Sequence, residues 1–311
     1  MTNYKYTNTD LLHKLCEIHA PSGAELPMKE FLMEYIATHS GEWKCTPEVI
    51  EGPEFGDCLV LRFGTPRTAI FAHMDSIGYT VRYEDQLVAI GGPAAENGAV
   101  LVGEDHLGPV ECKLKKTDDG KLHYKFGRNI TTGTRLTYQC NFRVDDSYIE
   151  SCYLDNRLGV FNALMVCESL ENGVVIFSTY EEHGGGSVPF LAKYMVEELG
   201  VRQALVSDIT WITDGVKPGE GAAVSLRDRN IPRKVFLDRI LQLAAASDIP
   251  YQLEVEGMGS SDGRELHHSP YAIDWCFIGA AEQHVHSPDE KVHRKDIDAM
   301  IDLYKYLMDR L

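Results

Sequence analysis

From Asp155 to the last helix the chain alternates between two hydrophobic periods, and that alternation restricts its possible folds more than any other feature. "VVIFSTYE", "ALVSDIT", "GAAVSLRD", "YQLEVEG" and "AIDWCFIGA" are short runs rich in β-branched or aromatic residues and read as strands. Between and after them, "DNRLGVFNALMVCESL", "SVPFLAKYMVEEL", "KVFLDRILQLAAA" and a final segment from Arg294 place apolar residues at three-to-four spacing, which predicts helices. Strands that alternate with helices imply a largely parallel sheet with helices covering its faces.

The amino-terminal part fits the same layer. Thr9 to His19 and Glu25 to Thr38 predict a helical hairpin around the turn formers of "APSGAE", and "DCLVLRFG" and "TAIFAHMD" follow as strands. Residues 76 to about 150 then change character, with alternating segments such as "TVRYEDQLVAI" and "LHYKFG" broken by "ENG" and "DDG". The expected fold is therefore α/β, a mostly parallel mixed sheet covered by helices. It is built from residues 1–75 and 150–311 and interrupted by a small β-rich domain over 76–149.

In open α/β sheets ligands bind beyond the carboxyl ends of the strands, so the residues placed there matter most. "AIFAHMD" ends in His73 and Asp75, the turn into the next helix supplies Asp155, and "VVIFSTYEE" ends in Glu181 and Glu182. "ALVSD" ends in Asp208, and His284 and His286 follow "AIDWCFIGAAEQ". All are oxygen or nitrogen donors that suit a divalent cation, and no thiol is among them. Brought together without a cation, such carboxylates cost several kcal/mol per unpaired charge. Asp155, Glu182 and Asp208 carry about three negative charges against about four on two divalent ions, which leaves room for one bridging hydroxide as nucleophile. One of the adjacent glutamates can then be a ligand while the other moves the proton. His73 and Asp75 lie two apart on a strand and share a face, so Asp75 can orient the imidazole.

The formal net charge of -17 argues against nucleic acid or an anionic membrane as partner. The start of the chain lacks a signal-peptide core, and no run of about eighteen apolar residues occurs. Eight cysteines without a CxxC pair fit reduced thiols, so a cytoplasmic protein is expected.

The chain resembles the dinuclear metallo-aminopeptidases of the glutamyl, leucyl and deblocking type, often called tetrahedral aminopeptidases, within the co-catalytic zinc exopeptidases. The likeness rests on "PSGAE", "AHMDSIGY", "YLDNRLGV", "STYEEHGG", "SDIT" and "VHSPDEKV", in the family's order over nearly the whole length. It implies that Asp155 bridges two metals, that His73 and Asp208 complete one site, and that Glu182 and His286 complete the other. It also implies that Glu181 is the general base and Asp75 the orienting carboxylate. Two divalent ions, zinc or else cobalt or manganese, would serve removal of amino-terminal residues from short peptides by a homo-oligomer, the inserted domain acting in dimerisation or substrate gating. The chain departs from the family's pattern at Ser76, at "HGGGS", and at Gln283 and His284, positions that bear on substrate preference and the pocket wall.

Other readings remain at this point. A dipeptidase or amide deacylase could use the same dinuclear site, and a non-catalytic relative could keep the fold. "GSSDG" matches a nucleophile elbow, with Ser261 followed by Asp274 and His286 in serine-hydrolase order. His284 competes with His286 as ligand, His183, His267 and His268 are further candidate donors, and Arg157 reads as a partner of nearby carboxylates.

Overall fold

The computed structural model describes residues 4–6 and 8–311. After helices α1 (Thr9–Glu17) and α2 (Leu26–His39) come strands β1 (Glu48–Ile50), β2 (Leu59–Phe63) and β3 (Ala69–His73). Six strands follow: β4 (Gly78–Val81), β5 (Gln86–Ile90), β6 (Val100–Asp105), β7 (Gly108–Lys116), β8 (Leu122–Lys125) and β9 (Arg135–Tyr138). Then come β10 (Arg143–Val144), β11 (Tyr148–Ser151), α3 (Leu154–Cys167), β12 (Gly173–Ser178), α4 (Val188–Glu197), β13 (Gln203–Trp211) and β14 (Ala222–Arg227). The chain closes with α5 (Lys234–Ala245), β15 (Tyr251–Val255), α6 (Asp262–His268), β16 (Asp274–Gln283), β17 (Glu290–His293) and α7 (Arg294–Met308).

Eleven strands form one mixed sheet whose main path runs β1-β2-β12-β3-β13-β16-β17-β11-β10. Its centre is parallel: β12 and β13 flank β3, and β16 pairs with β13. These strands are buried on both faces, which their unbroken apolar sequences require. The flanks are antiparallel, apart from the parallel β14–β15 pair. Strands β4 to β9 leave this sheet and close a separate barrel in the order β4-β5-β8-β7-β6-β9. The barrel accounts for the loss of helical period after residue 76. The last part of the segment read as an insertion behaves differently, because β10 and β11 belong to the large sheet.

Helix α3 explains its own sequence. Every residue from Leu154 to Cys167 is buried, so no polar face interrupts its apolar pattern. It packs on β13, α7 and α1. Contact with β13 is so close that a Cβ on Gly159 would lie 2.3 Å from the carbonyl oxygen of Ser207. Asn156 and Ser207 lock the two segments there. Asn156 Nδ2 donates to Ser207 O at 2.9 Å, its Oδ1 accepts from Gly159 N, and Ser207 Oγ donates to Gly159 O at 3.0 Å. Asp155 precedes one arm of this lock and Asp208 follows the other. Among the described residues no helix is long and apolar enough to cross a membrane.

Candidate active site

His73 is the last residue of β3, in register with Ser178 at the end of the parallel neighbour β12. Asp155 opens α3 but is not itself helical (ψ 103°), so its carboxylate faces the sheet end rather than capping the helix. Asp208 lies within β13, which extends the expected strand "ALVSDIT" by one residue at each end. The expected strand over Val174 to Glu181 instead stops at Ser178, and both glutamates sit in the following turn. Tyr180 has φ +63° there, and His286 has φ +64° in the turn after β16. Left-handed backbone at non-glycine residues costs roughly 1 kcal/mol or more and is found where side chains must be aimed.

Two groups of donors result, each with ligand atoms within 4.8 Å of one another: His73, Asp155 and Asp208, and Asp155, Glu182 and His286. Asp155 is common to both. Its Oδ1 lies 3.3 Å from His73 Nε2 and its Oδ2 3.3 Å from His286 Nε2. Asp208 Oδ2 is 3.6 Å from His73 Nε2, and Glu182 Oε2 is 3.3 Å from His286 Nε2. Glu181 belongs to neither group but comes within 3.9 Å of His73 Nε2.

The electrostatics are those of a site built for cations. Burial pushes Glu181 well above the ordinary carboxylate range, with Asp208 and Glu182 adding to the shift, and pushes Glu182 up to about 8. Burial likewise raises Asp208. Burial opposes protonation of His73 and His286, but the carboxylates around them win, raising His73 well above its usual value and His286 to about 10. Asp155 moves the other way: burial would raise it, yet His286 and His73 hold it below the usual range. Three buried atoms, His73 Nδ1, His73 Nε2 and Glu182 Oε1, have no hydrogen-bond partner. Unpaired donors of this kind in a nitrogen and oxygen cluster fit divalent cations.

Outer residues hold the donors in place. Asp75, wholly buried, accepts from Glu181 N at 3.1 Å through Oδ1 and from Glu182 N at 3.2 Å through Oδ2. Its Oδ1 is also 3.3 Å from His73 Nδ1. Burial alone would raise Asp75, but His73, Ser22 and the Glu181 amide keep it low. Four residues do work that was not legible in the sequence. Ser22 Oγ donates to Asp75 Oδ2 at 2.6 Å, and Glu25 Oε1 accepts from Gly23 N and Tyr180 N, which gives "PSGAE" its physical role. Glu290 accepts from Asp155 N at 3.1 Å and from His286 N at 2.9 Å, tying together segments that meet from far apart in sequence. Gly92 O lies 3.1 Å from His286 Nδ1, so that nitrogen must donate and Nε2 is left to face the carboxylates. Only "PSGAE" and "VHSPDEKV" could have pointed to three of them, and nothing pointed to Gly92.

The decoys separate. His284 is exposed, and neither it nor His183, His267 or His268 joins a donor group. Arg157 does not pair with carboxylates: fully buried, it donates to the carbonyls of Met74, Asp75 and Ile18. Ser261 is the N-cap of α6, accepting from Gly263 N. Asp274 is ion-paired with Arg233 at the start of β16, whereas His286 follows its far end, so no serine triad forms. Asp262 is buried, with its Oδ1 unpartnered and Oδ2 bonded to Ser178.

A cavity of about 280 Å³ opens over the cluster, lined by Asp155, Glu181, Glu182, Asp208 and His286 and extending between the ends of β13, β14 and β15. Two candidate donor triads sharing a carboxylate, a glutamate outside both and an open cavity above are the arrangement that a metal-dependent hydrolase of the α/β type requires.

The sequence pattern of M42 glutamyl aminopeptidases matches residues 122–303. A protein of Acetivibrio thermocellus, provisionally named an aminopeptidase, is 25% identical over 329 aligned positions, covering 94% of this chain and 96% of its own. An aminopeptidase from the archaeon Desulfurococcus kamchatkensis has the same fold, with TM-score 0.85 and 22% identity over 97% of this chain and 94% of that one. The TET1 peptidase of Pyrococcus horikoshii, which assembles into a tetrahedron or a large octahedral shell, gives TM-score 0.82 and 19% identity over 98% and 100%. The chain belongs to the M42 glutamyl aminopeptidase family and is an aminopeptidase, a peptide hydrolase. Membership implies divalent metal ions, for which the two triads are the candidate ligand groups.

Proposed function

We propose that this enzyme removes the amino-terminal residue from short peptides using two divalent ions, zinc or else cobalt or manganese. His73, Asp155 and Asp208 would hold one ion, and Asp155, Glu182 and His286 the other. The observation that carries this reading is the double use of Asp155, whose two oxygens lie equally close to His73 and His286. Two divalent ions, when bound, offset the buried carboxylates and bring the pKa of a water down to roughly 7. Glu181 stands beside the triads without belonging to them, and it takes the proton of the attacking water and returns it to the departing amine. Asp75 is a positioning residue: it fixes the amides of both glutamates and faces His73 Nδ1.

In the same reading residues 1–75 and 150–311 form the catalytic unit, while 76–149 form a dimerisation or gating unit of a homo-oligomer. The shells described for the Pyrococcus peptidase support assembly, and eight unpaired cysteines support a reducing, cytoplasmic setting. The test is chelation. Hydrolysis of an aminoacyl-anilide should stop when metal is removed and return with zinc, cobalt or manganese, while a serine-directed phosphonate has no effect. Turnover that survives complete metal removal overturns the proposal. Cleavage of an amino-terminally acetylated substrate would instead identify a deacylase on the same site.

A further inference from the structure

The cavity over the triads has a far wall, and its chemistry is one-sided. Asp228, Glu254 and Glu256 line it, and no lysine or arginine among the described residues does. Among the described residues none of these three carboxylates takes part in an ion pair. Glu254 is only 4% exposed, and its carboxylate accepts from Thr210. The same lining includes the apolar side chains of Ile209, Met258, Phe277 and Val285.

We infer that the cavity selects peptides whose amino-terminal residue carries a long aliphatic stem ending in a cation, as lysine and arginine do. The inference rests on the aminopeptidase reading above and names the substrate class of that site. The apolar side chains accept the methylenes, and the ammonium or guanidinium meets Asp228, Glu254 and Glu256. A glutamyl side chain of similar length would meet three carboxylates and no cation, so the family's descriptive name does not carry over to this pocket. The net charge of -17 adds a field that draws cationic peptides toward the cavity.

Lysine and norleucine share a stem and differ at its end by the ammonium group, which makes them the right pair for a test. With the metal-loaded full chain, kcat/KM for lysyl-anilide should exceed that for norleucyl-anilide by about tenfold or more, and glutamyl-anilide should fall below both. Glu256→Gln is the informative variant, since Asp228 also accepts from Asn230 N and Glu254 from Thr210, whereas the half-buried Glu256 side chain has no such structural bond. It should move the lysine-to-norleucine ratio several-fold toward unity. Norleucine cleaved as well as lysine by the unaltered enzyme, or glutamate preferred to either, overturns the inference while leaving the peptidase reading intact. No turnover of any of the three by the metal-loaded enzyme removes the peptidase reading, and the inference falls with it.

Discussion

Stripping the divalent ions should make stability fall as pH rises, and Glu182 sets the size of the effect. Its carboxyl is pushed from an ordinary 4.5 up to about 8 because burial and Asp155 disfavour its charge more than His286 favours it. A raised value in the folded state means that the folded chain holds this proton more tightly than the unfolded chain. The resulting stability is fully present below about pH 4.5 and is lost as pH climbs through about 8. The gap corresponds to roughly 5 kcal/mol, an upper bound because the cluster can relax and admit water once charged. Screening reduces it little, since the Glu182 side chain is only 4% exposed. His286, raised to about 10, acts in the same sense, but it answers the same carboxylates and is not added. For a chain of this length about 1.5 °C of Tm accompanies each kcal/mol, and about three-quarters of the effect falls inside the window, so the metal-free protein should lose up to about 6 °C between roughly pH 5 and pH 8.5. Calorimetry on chelated and zinc-loaded samples across that window provides the test, because bound cations would stand where the proton stands and flatten the profile. A metal-free Tm that is level or rises with pH, or one that parallels the loaded protein, refutes the reasoning.

Three further outcomes follow from the site and its supports. Glu181→Gln should keep both metals by elemental analysis and lose about a hundredfold or more in kcat, whereas loss of metal would mean that the two glutamates have exchanged roles. Glu290→Gln replaces an acceptor of two amide hydrogen bonds and should weaken metal binding by about tenfold or more in calorimetric titration, with unchanged affinity showing that the Asp155 and His286 segments need no tie. Gly159→Ala puts a Cβ 2.1 Å from Asn156 Oδ1 and 2.3 Å from Ser207 O, so denaturant unfolding should report about 1–3 kcal/mol of lost stability or more, and an unaffected midpoint would show that α3 moves away from β13 without cost.

Much of this was readable in the sequence because the site lies where hydrophobic periods end. His73 and Asp208 come at the end of a strand-period run and Asp155 at the start of a helix-period run, so their placement at one sheet edge needs no tertiary information. The two glutamates were harder. Period alone carries β12 on to Glu181, but the left-handed Tyr180 and the bonds to Asp75 turn the chain earlier, and those are tertiary effects. Helix α6 escaped notice because seven residues before Pro270 give too short a window for a helical pattern. Ser22, Glu25 and Glu290 act by bonding backbone amides or another carboxylate, and such roles leave no periodic trace. The cavity wall was invisible for another reason: Asp228 follows β14 and Glu254 lies in β15, and they meet only once those two strands pair.

The contact between His286 and Gly92 reaches beyond the alignment of one ring. Gly92 and Ala94 lie in the connector between β5 and β6, and the amide of Ala94 also donates to His286 O at 2.8 Å, so the barrel grips this histidine from both its ring and its main chain. Any displacement of this connector would therefore act on His286 directly, through its ring and its main chain together.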